Sequence, residues 1–141
     1  MAATAEYEGP EPAVLVQEVR RSFGTSEALR GVNFVAFPGE VTGMVGPNGA
    51  GKTTLLLILS TLLAADQGLV RIGGLDPMTE TSDVRRLLGW VPDVFGFYEN
   101  LTAREYLKFS GQARSLSKGL AADRSEAMLE LVRLGDRESV V

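Results

Sequence analysis

Residues 46–54 form a glycine-rich segment that matches G-x-x-x-x-G-K-[ST], the pattern of a loop that holds nucleotide phosphates. Successive backbone N–H groups of such a loop point at a phosphate chain, and the positive end of the following helix adds to the attraction. Lys52 would reach the β- and γ-phosphates, and the Thr53 hydroxyl would coordinate Mg²⁺. The predicted nucleotide-binding residues of this loop are Gly46, Pro47, Asn48, Gly49, Ala50, Gly51, Lys52, Thr53 and Thr54.

The segments around the loop indicate how it is positioned. Residues 41–45 predict a short apolar strand before it, and the leucine-rich residues after it predict a buried helix ending near residue 65. Upstream, residues 13–19 and 27–37 predict two strands that look antiparallel. Downstream, short strands are predicted at 69–72 and 90–91, with a short helix at 83–88 between them. The fold class is therefore α/β, with a mixed sheet in which antiparallel strands precede a strand–loop–helix unit.

The carboxyl-terminal third is predicted to be helical. Thr102 and Glu105 have the spacing of a capping box, with Thr102 as N-cap, and predict a helix over 103–113. A second amphipathic helix is predicted from about 120 to 134, ending at Gly135. Its apolar face is expected to contain Met128, Leu131 and Val132. The predicted organisation is a disordered tail over 1–12, an α/β core over 13–101 and the start of a helical subdomain over 102–141.

Composition excludes several classes of site. The 141-residue chain contains no cysteine and no histidine, so disulfides, thiolate metal sites and histidine acid–base chemistry are excluded. Its net charge is −4, without a basic stripe, which argues against a nucleic-acid partner. The longest strongly apolar stretch, residues 53–65, is shorter than a bilayer requires. The amino terminus lacks the basic and apolar regions of a secretory signal, so we expect a soluble cytoplasmic protein.

These motifs together resemble the ATP-binding-cassette (ABC) ATPases that drive membrane transporters. The resemblance extends from about residue 13 to the end, and the sequence after residue 93 is most similar to exporter-type cassettes. Pro-Asn-Gly-Ala within the loop and Pro-Gly-Glu before it make the match specific. The segments that carry it are 28–34, 38–41, 46–54, 87–92 and 100–107. By this resemblance, the chain is the amino-terminal part of a nucleotide-binding domain with a P-loop NTPase core.

The resemblance also implies cofactors, partners and a location. ATP and Mg²⁺ would be the cofactors, and the full domain would couple ATP hydrolysis to transport. Its partners would be transmembrane transporter subunits and a second nucleotide-binding domain, joined in an ATP-sandwich dimer. The protein would lie in the cytoplasm, peripheral on the inner face of the cell membrane. Apolar faces of a partial core would also favour self-association of the chain.

Two further site residues follow from the same resemblance. Phe23 corresponds to the aromatic residue that stacks on adenine, although a core position closing the first strand is the alternative. Asp93 stands where the family usually has a glutamine that approaches Mg²⁺ and the attacking water, so it is a candidate for catalysis and for metal binding. The aromatic residues of segment 94–100 would receive a short helix of the membrane subunit, or would pack between the two lobes.

Three family motifs are missing from the sequence: the Leu-Ser-Gly-Gly-Gln-like signature, the strand ending in Asp-Glu and the histidine that follows it. We therefore expect nucleotide binding without efficient hydrolysis. Two alternatives stay open. The chain could be a P-loop GTPase, with residues 93–96 as an Asp-x-x-Gly metal loop, although no Asn-Lys-x-Asp guanine motif occurs. It could also be a nucleotide-binding module that never hydrolyses.

Overall fold

The computed structural model describes residues 9–93, 96 and 100–134. Three strands and four helices occur there, in the order β1 Val14–Phe23, β2 Ser26–Ala36, α1 Lys52–Leu59, β3 Gln67–Ile72, α2 Thr81–Leu87, α3 Ala103–Ala113 and α4 Lys118–Leu131. The chain divides into two compact units, Met1–Trp90 and Val91–Val141. The sequence pattern places the main division at residue 101 instead, and that assignment stays a prediction.

The first unit contains a three-stranded antiparallel sheet in the order β2-β1-β3. A bulge interrupts β1, because Gln17 pairs with Leu69 and Arg20 pairs with Gln67, which leaves one extra residue on β1. Glu18 lies in the bulge with a φ of 49°, and its backbone N–H donates to Asn33 Oδ1 at 3.0 Å. The predicted antiparallel strands at the start of an α/β fold are thereby confirmed.

The core of this unit lies between the sheet and α1. Apolar residues alternate along β1 and β3, so one face of the sheet is buried, as expected for an antiparallel sheet with a single covered face. Helix α1 contributes Leu55 and Ile58 to this core, and α2 contributes Val84. The remaining buried residues of the cluster are Val16, Val19, Leu29, Val70 and Ile72.

The strand predicted over residues 41–45 does not form. These residues have no regular secondary structure, and the residues Val41 and Val45 are 103% and 98% exposed. A strand needs a neighbouring strand to supply its ladder hydrogen bonds, and β1, β2 and β3 pair only with one another in the described part of the chain. The short strand predicted at residues 90–91 is also wrong, since both residues lack an assigned ladder partner.

Helix α1 ends earlier than predicted. It stops at Leu59 rather than near residue 65, because Thr61 adopts a left-handed φ of 63° that a helix cannot continue. The backbone N–H groups of Leu62 and Leu63 then donate to Leu57 O at 3.0 and 3.1 Å. This hydrogen bonding satisfies a carbonyl at the helix end and turns the chain towards β3.

The second unit contains α3 and α4. The capping box of α3 is confirmed, because Thr102 Oγ1 accepts from the Glu105 backbone N–H and the Glu105 carboxylate accepts from the Thr102 backbone N–H. The predicted apolar face of α4 is wrong. Met128, Leu131 and Val132 are exposed.

The buried face of α4 consists of Ala121, Ser125 and Leu129. Helices α3 and α4 approach closely at one point, since a Cβ built on Gly111 of α3 would lie 3.2 Å from the Ala121 Cβ. A larger side chain at position 121 would be overpacked against Gly111. Segment 94–95, segment 97–99 and Gly135, which carry parts of the aromatic-loop, Asp-x-x-Gly and helix-stop predictions, lie outside the described residues.

Acidification is expected to open the capping box. The hydrogen bond from the Thr102 backbone N–H, followed by that from the Thr102 side chain, lowers the pKa of Glu105 from its ordinary value of 4.5. Because the pKa is lowered on folding, the stabilisation is complete above pH 4.5 and is lost as the pH falls through the folded-state value. In an NMR pH titration, the chemical shifts of the Glu105 carboxyl carbon and of the Thr102 amide should change with the same midpoint. A Glu105 midpoint at or above 4.5 would contradict this prediction, and Glu105→Gln supplies the non-titrating control.

Candidate functional site

The glycine-rich loop has the backbone conformation that its sequence requires. Gly49 and Gly51 have φ values of 81° and 88°, in the left-handed region that glycine tolerates best. Between them, the Ala50 backbone N–H donates to Pro47 O at 3.2 Å and closes a tight turn. The loop is therefore curved by its own backbone.

Gly51 fixes the loop against the sheet. It is the N-cap of α1, and a Cβ at this position would lie 2.6 Å from both Ala28 O and Leu29 Cδ2 of β2. Real Cβ atoms essentially never approach this closely, so only glycine allows the loop to rest on β2. The start of α1 is consequently held at the beginning of β2.

The Lys52 side chain extends from the start of α1 back to the first residues of the loop. Its Nζ donates to Gly46 O at 2.6 Å and to Pro47 O at 2.7 Å. The ammonium group is thus already positioned at the loop. A bound phosphate would offer oxygen acceptors that carry more negative charge than these carbonyls, and charge-assisted hydrogen bonds are the stronger kind.

The first turn of α1 supplies further hydrogen-bond donors. Lys52, Thr53 and Thr54 occupy this turn, and the first backbone N–H groups of any α-helix have no partner within the helix. No side-chain cap occupies the N-terminus of α1, because the N-cap residue is glycine. The Thr53 side chain is exposed, so its hydroxyl is accessible to an ion held by the same phosphates.

Phe23 lies at the end of β1 and is 49% exposed. This exposure agrees with a stacking surface better than with the alternative core position. The Arg21 guanidinium carbon lies 5.0 Å from the Phe23 ring centroid, a cation–π distance. Arg21 in turn pairs with Asp66, with 2.6 Å between Arg21 Nη1 and Asp66 Oδ1. Sequence reasoning missed Arg21 and Asp66, although the i, i+2 spacing of Arg21 and Phe23 places both on one face of a strand.

The β1–β2 hairpin determines how far Phe23 lies from the glycine-rich loop. Gly51 abuts Ala28, which lies two residues after Ser26 along β2, and Ser26 pairs with Phe23. Two strand residues span about 7 Å and a strand pair adds about 5 Å, so the Phe23 backbone lies on the order of 10 Å from the loop. The hairpin thus brings Phe23 and the loop to the same side of the first unit.

Asp93 is exposed and belongs to the second unit, whereas the loop and Phe23 belong to the first. Within the described ranges, no group of three or more acidic, histidine or cysteine residues could hold a metal ion. The predicted roles of Asp93 in catalysis and metal binding therefore stay predictions.

Two cavities of the first unit are relevant. One of about 250 Å³ lies beneath the loop, between β2 and α1, and includes Met44, Val45 and Lys52 in its lining. A larger one of about 580 Å³ lies between the end of α1, β3 and α2. The larger cavity includes no residue of the glycine-rich loop, so its size alone does not identify it as a nucleotide site. The glycine-rich loop is the better guide, because it leads into the N-terminus of α1, whose first backbone N–H groups favour an anion.

The loop, the helix that follows it and the antiparallel hairpin define a P-loop nucleotide-binding protein. The profile of the family described as "ABC transporter" matches residues 29–141, which is most of the chain. The chain belongs to this family. ATP-binding domains of the family generally bind ATP with Mg²⁺ and are generally ATPases.

Curated relatives support the same family. The linearmycin resistance ATP-binding protein LnrL of Bacillus subtilis is 35% identical over 121 residues, covering 86% of this chain and 39% of that protein. The doxorubicin resistance ATP-binding protein DrrA of Mycobacterium tuberculosis is 39% identical over 130 residues, covering 89% of this chain and 39% of that protein. The chain thus spans about two fifths of the length of these relatives.

A solved structure also matches the fold. The structure described as "Structure of ATP binding subunit of ABC transporter" superposes with a TM-score of 0.76 at 28% identity, covering 90% of this chain and 53% of that one. This match confirms the predicted α/β class. Separately, none of the helices in the described part of the chain is both long enough and apolar enough to cross a membrane.

Proposed function

We propose that this chain forms the ATP-binding part of an ABC transporter subunit and holds Mg-ATP between the glycine-rich loop and Phe23. The observation that carries the proposal is the loop itself. Its glycines adopt left-handed backbone angles, it rests on β2 through Gly51, and it holds the Lys52 ammonium group at its own carbonyls. Membership of the family supports ATP as the nucleotide and Mg²⁺ as the ion.

Each residue of the site has a separate task in this proposal. The loop N–H groups and the first turn of α1 bind the phosphate oxygens, and Lys52 neutralises charge on the β- and γ-phosphates. Mg²⁺, when bound, would be held by the Thr53 hydroxyl and would neutralise phosphate charge. Asp93 would approach the same ion. Phe23 would stack on the base.

Family membership supports the proposed partners and location. The complete protein would bind transmembrane transporter subunits, form an ATP-sandwich dimer with a second nucleotide-binding domain, and lie on the cytoplasmic face of the membrane. The names of the two relatives, a linearmycin resistance and a doxorubicin resistance ATP-binding protein, support an exporter. The exposed Val41 and Val45 side chains support self-association of this chain when it is studied alone.

Calorimetric titration with Mg-ATP and with Mg-GTP tests the proposal. We expect the 141-residue chain to bind ATP with little preference over GTP, because the phosphates make most of the contacts and Phe23 can stack on either purine. Tight binding that strongly favours GTP would support the GTPase alternative. Binding of neither nucleotide would contradict the proposed site.

The chain alone is expected to hydrolyse ATP negligibly. Phosphoryl transfer depends on positioning and on charge stabilisation, and the sequence contains neither a signature motif nor a strand ending in Asp-Glu. Phosphate release should therefore equal that of the Lys52→Ala variant in a coupled assay. Steady release well above that control would show that the residues present suffice for turnover, with Asp93 as the first candidate to test.

A further inference from the structure

Asp66 contacts three consecutive residues at the end of β1. Its backbone N–H donates to Arg20 O at 2.9 Å, its Oδ1 pairs with Arg21 Nη1 at 2.6 Å, and its Oδ2 accepts from the Ser22 backbone N–H at 2.7 Å. The next residue along the chain is Phe23. A single residue, 43 positions away in sequence (66 minus 23), thus fixes the strand immediately before the exposed aromatic ring.

Arg21 extends this restraint to the ring. Its guanidinium group is held by Asp66 and lies 5.0 Å from the Phe23 centroid. An aromatic side chain at the exposed end of a strand would otherwise sample several rotamers. The cation occupies a position near the ring, so the ring has a preferred orientation before any ligand arrives.

The charge state of Asp66 favours the same arrangement. The Ser22 backbone N–H, and after it the Arg21 guanidinium, lower the pKa of the Asp66 carboxyl below its ordinary value, against the opposing effect of desolvation. The carboxylate is therefore ionised at neutral pH and can accept both hydrogen bonds.

We propose that Asp66 and Arg21 are positioning residues that hold Phe23 as a stacking surface for a nucleobase, and so set base affinity without contributing to phosphate binding. This inference rests on the proposed function. Preorganisation is the physical reason, since a ring that is already ordered loses less conformational entropy when a base stacks on it.

The test compares Mg-ATP with inorganic tripolyphosphate, which can occupy the loop but has no base. We expect Asp66→Asn to weaken ATP binding about 2- to 5-fold, the range expected for an exposed cation–π contact, while tripolyphosphate affinity stays within error. Phe23→Ala should weaken ATP binding by roughly 5-fold or more, as expected for the loss of one stacked base. In the Phe23→Ala background, Asp66→Asn should have no further effect.

Asp76→Asn is the matched control. Asp76 pairs with Arg71 at 2.7 Å and accepts from the Met78 backbone N–H at 2.9 Å, so it has the same chemistry as Asp66 within the same unit. It has no aromatic partner among the ring contacts of the described residues. This variant should leave the affinities for both ligands unchanged. Arg21→Lys provides a second test, because lysine keeps the charge but lacks the planar guanidinium group. This variant should weaken ATP binding and leave tripolyphosphate binding unchanged.

The outcomes separate the two proposals. ATP affinity unchanged in Asp66→Asn, or ATP and tripolyphosphate affinities lowered equally, would overturn the positioning role while leaving the loop assignment intact. An effect of Asp66→Asn that persists without Phe23 would also overturn it. Absence of Lys52-dependent binding of either ligand by the unmodified chain would instead overturn the proposed function, and the nucleobase surface with it.

Discussion

Lys52→Ala is expected to weaken binding of Mg-ATP by the 141-residue chain roughly 10- to 150-fold, the equivalent of one lost hydrogen bond to a charged group. The Nζ atom already donates to Gly46 O and Pro47 O, so the ammonium group needs little rearrangement to reach a phosphate oxygen. Replacing it with a methyl group removes the cation that would neutralise the β- and γ-phosphates. Calorimetric titration of both chains with Mg-ATP measures the difference.

Lys118→Ala is the control for net charge. Lys118 is the exposed first residue of α4, in the second unit, so this substitution removes one positive charge without changing a residue of the loop. Its ATP affinity should equal that of the unmodified chain. Equal affinities of the Lys52→Ala and unmodified chains would contradict the assignment of the loop. Circular dichroism of the Lys52→Ala chain separates lost binding from lost folding, because the variant also loses two contacts to loop carbonyls.

Gly68→Ala is expected to destabilise the first unit by roughly 2–5 kcal/mol, the sum of a left-handed backbone penalty and an overpacking penalty. Gly68 has a φ of 98°, and a Cβ there would lie 2.6 Å from Glu18 O and 2.6 Å from the Val19 Cα. Both obstacles are backbone atoms of the β1 bulge, which cannot rotate away as a side chain can. Urea unfolding followed by circular dichroism measures the loss.

Gly39→Ala separates the two contributions. Gly39 has a similar φ of 80°, but a Cβ there would meet no atom within 4 Å. This control should cost about 1 kcal/mol, because the backbone penalty is partly offset by reduced freedom of the unfolded chain. If Gly68→Ala is no more destabilising than Gly39→Ala, the close approach of β3 to the bulge is not required for stability. A larger loss supports the steric explanation.

Gly68 also links stability to the proposed nucleobase surface. It lies two residues after Asp66, at a point where β3 lies close to the β1 bulge. A wider separation there would move Asp66 away from Arg20, Arg21 and Ser22. Gly68→Ala should therefore weaken ATP binding even in the fraction of chains that stays folded, whereas Gly39→Ala should not.

The sequence alone determined the features that depend on local chemistry. The spacing of Gly46, Gly51 and Lys52 predicts a phosphate loop because glycine permits the backbone angles and the close approach that such a loop needs. The capping box of α3 was predictable for the same reason, since Thr102 and Glu105 satisfy backbone groups within one turn. The antiparallel hairpin followed from apolar alternation on either side of a short turn.

The tertiary structure decided the features that depend on distant partners. Residues 41–45 have the composition of a strand, yet a strand forms only where a neighbour supplies hydrogen bonds, and none of the described strands does so. The buried face of α4 depends on how closely Gly111 of α3 allows Ala121 to approach. The pairing of Arg21 with Asp66 joins residues 45 positions apart. Hydrophobic and charge patterns indicate which residues could form such contacts, but only the folded backbone decides which pairs of residues come together.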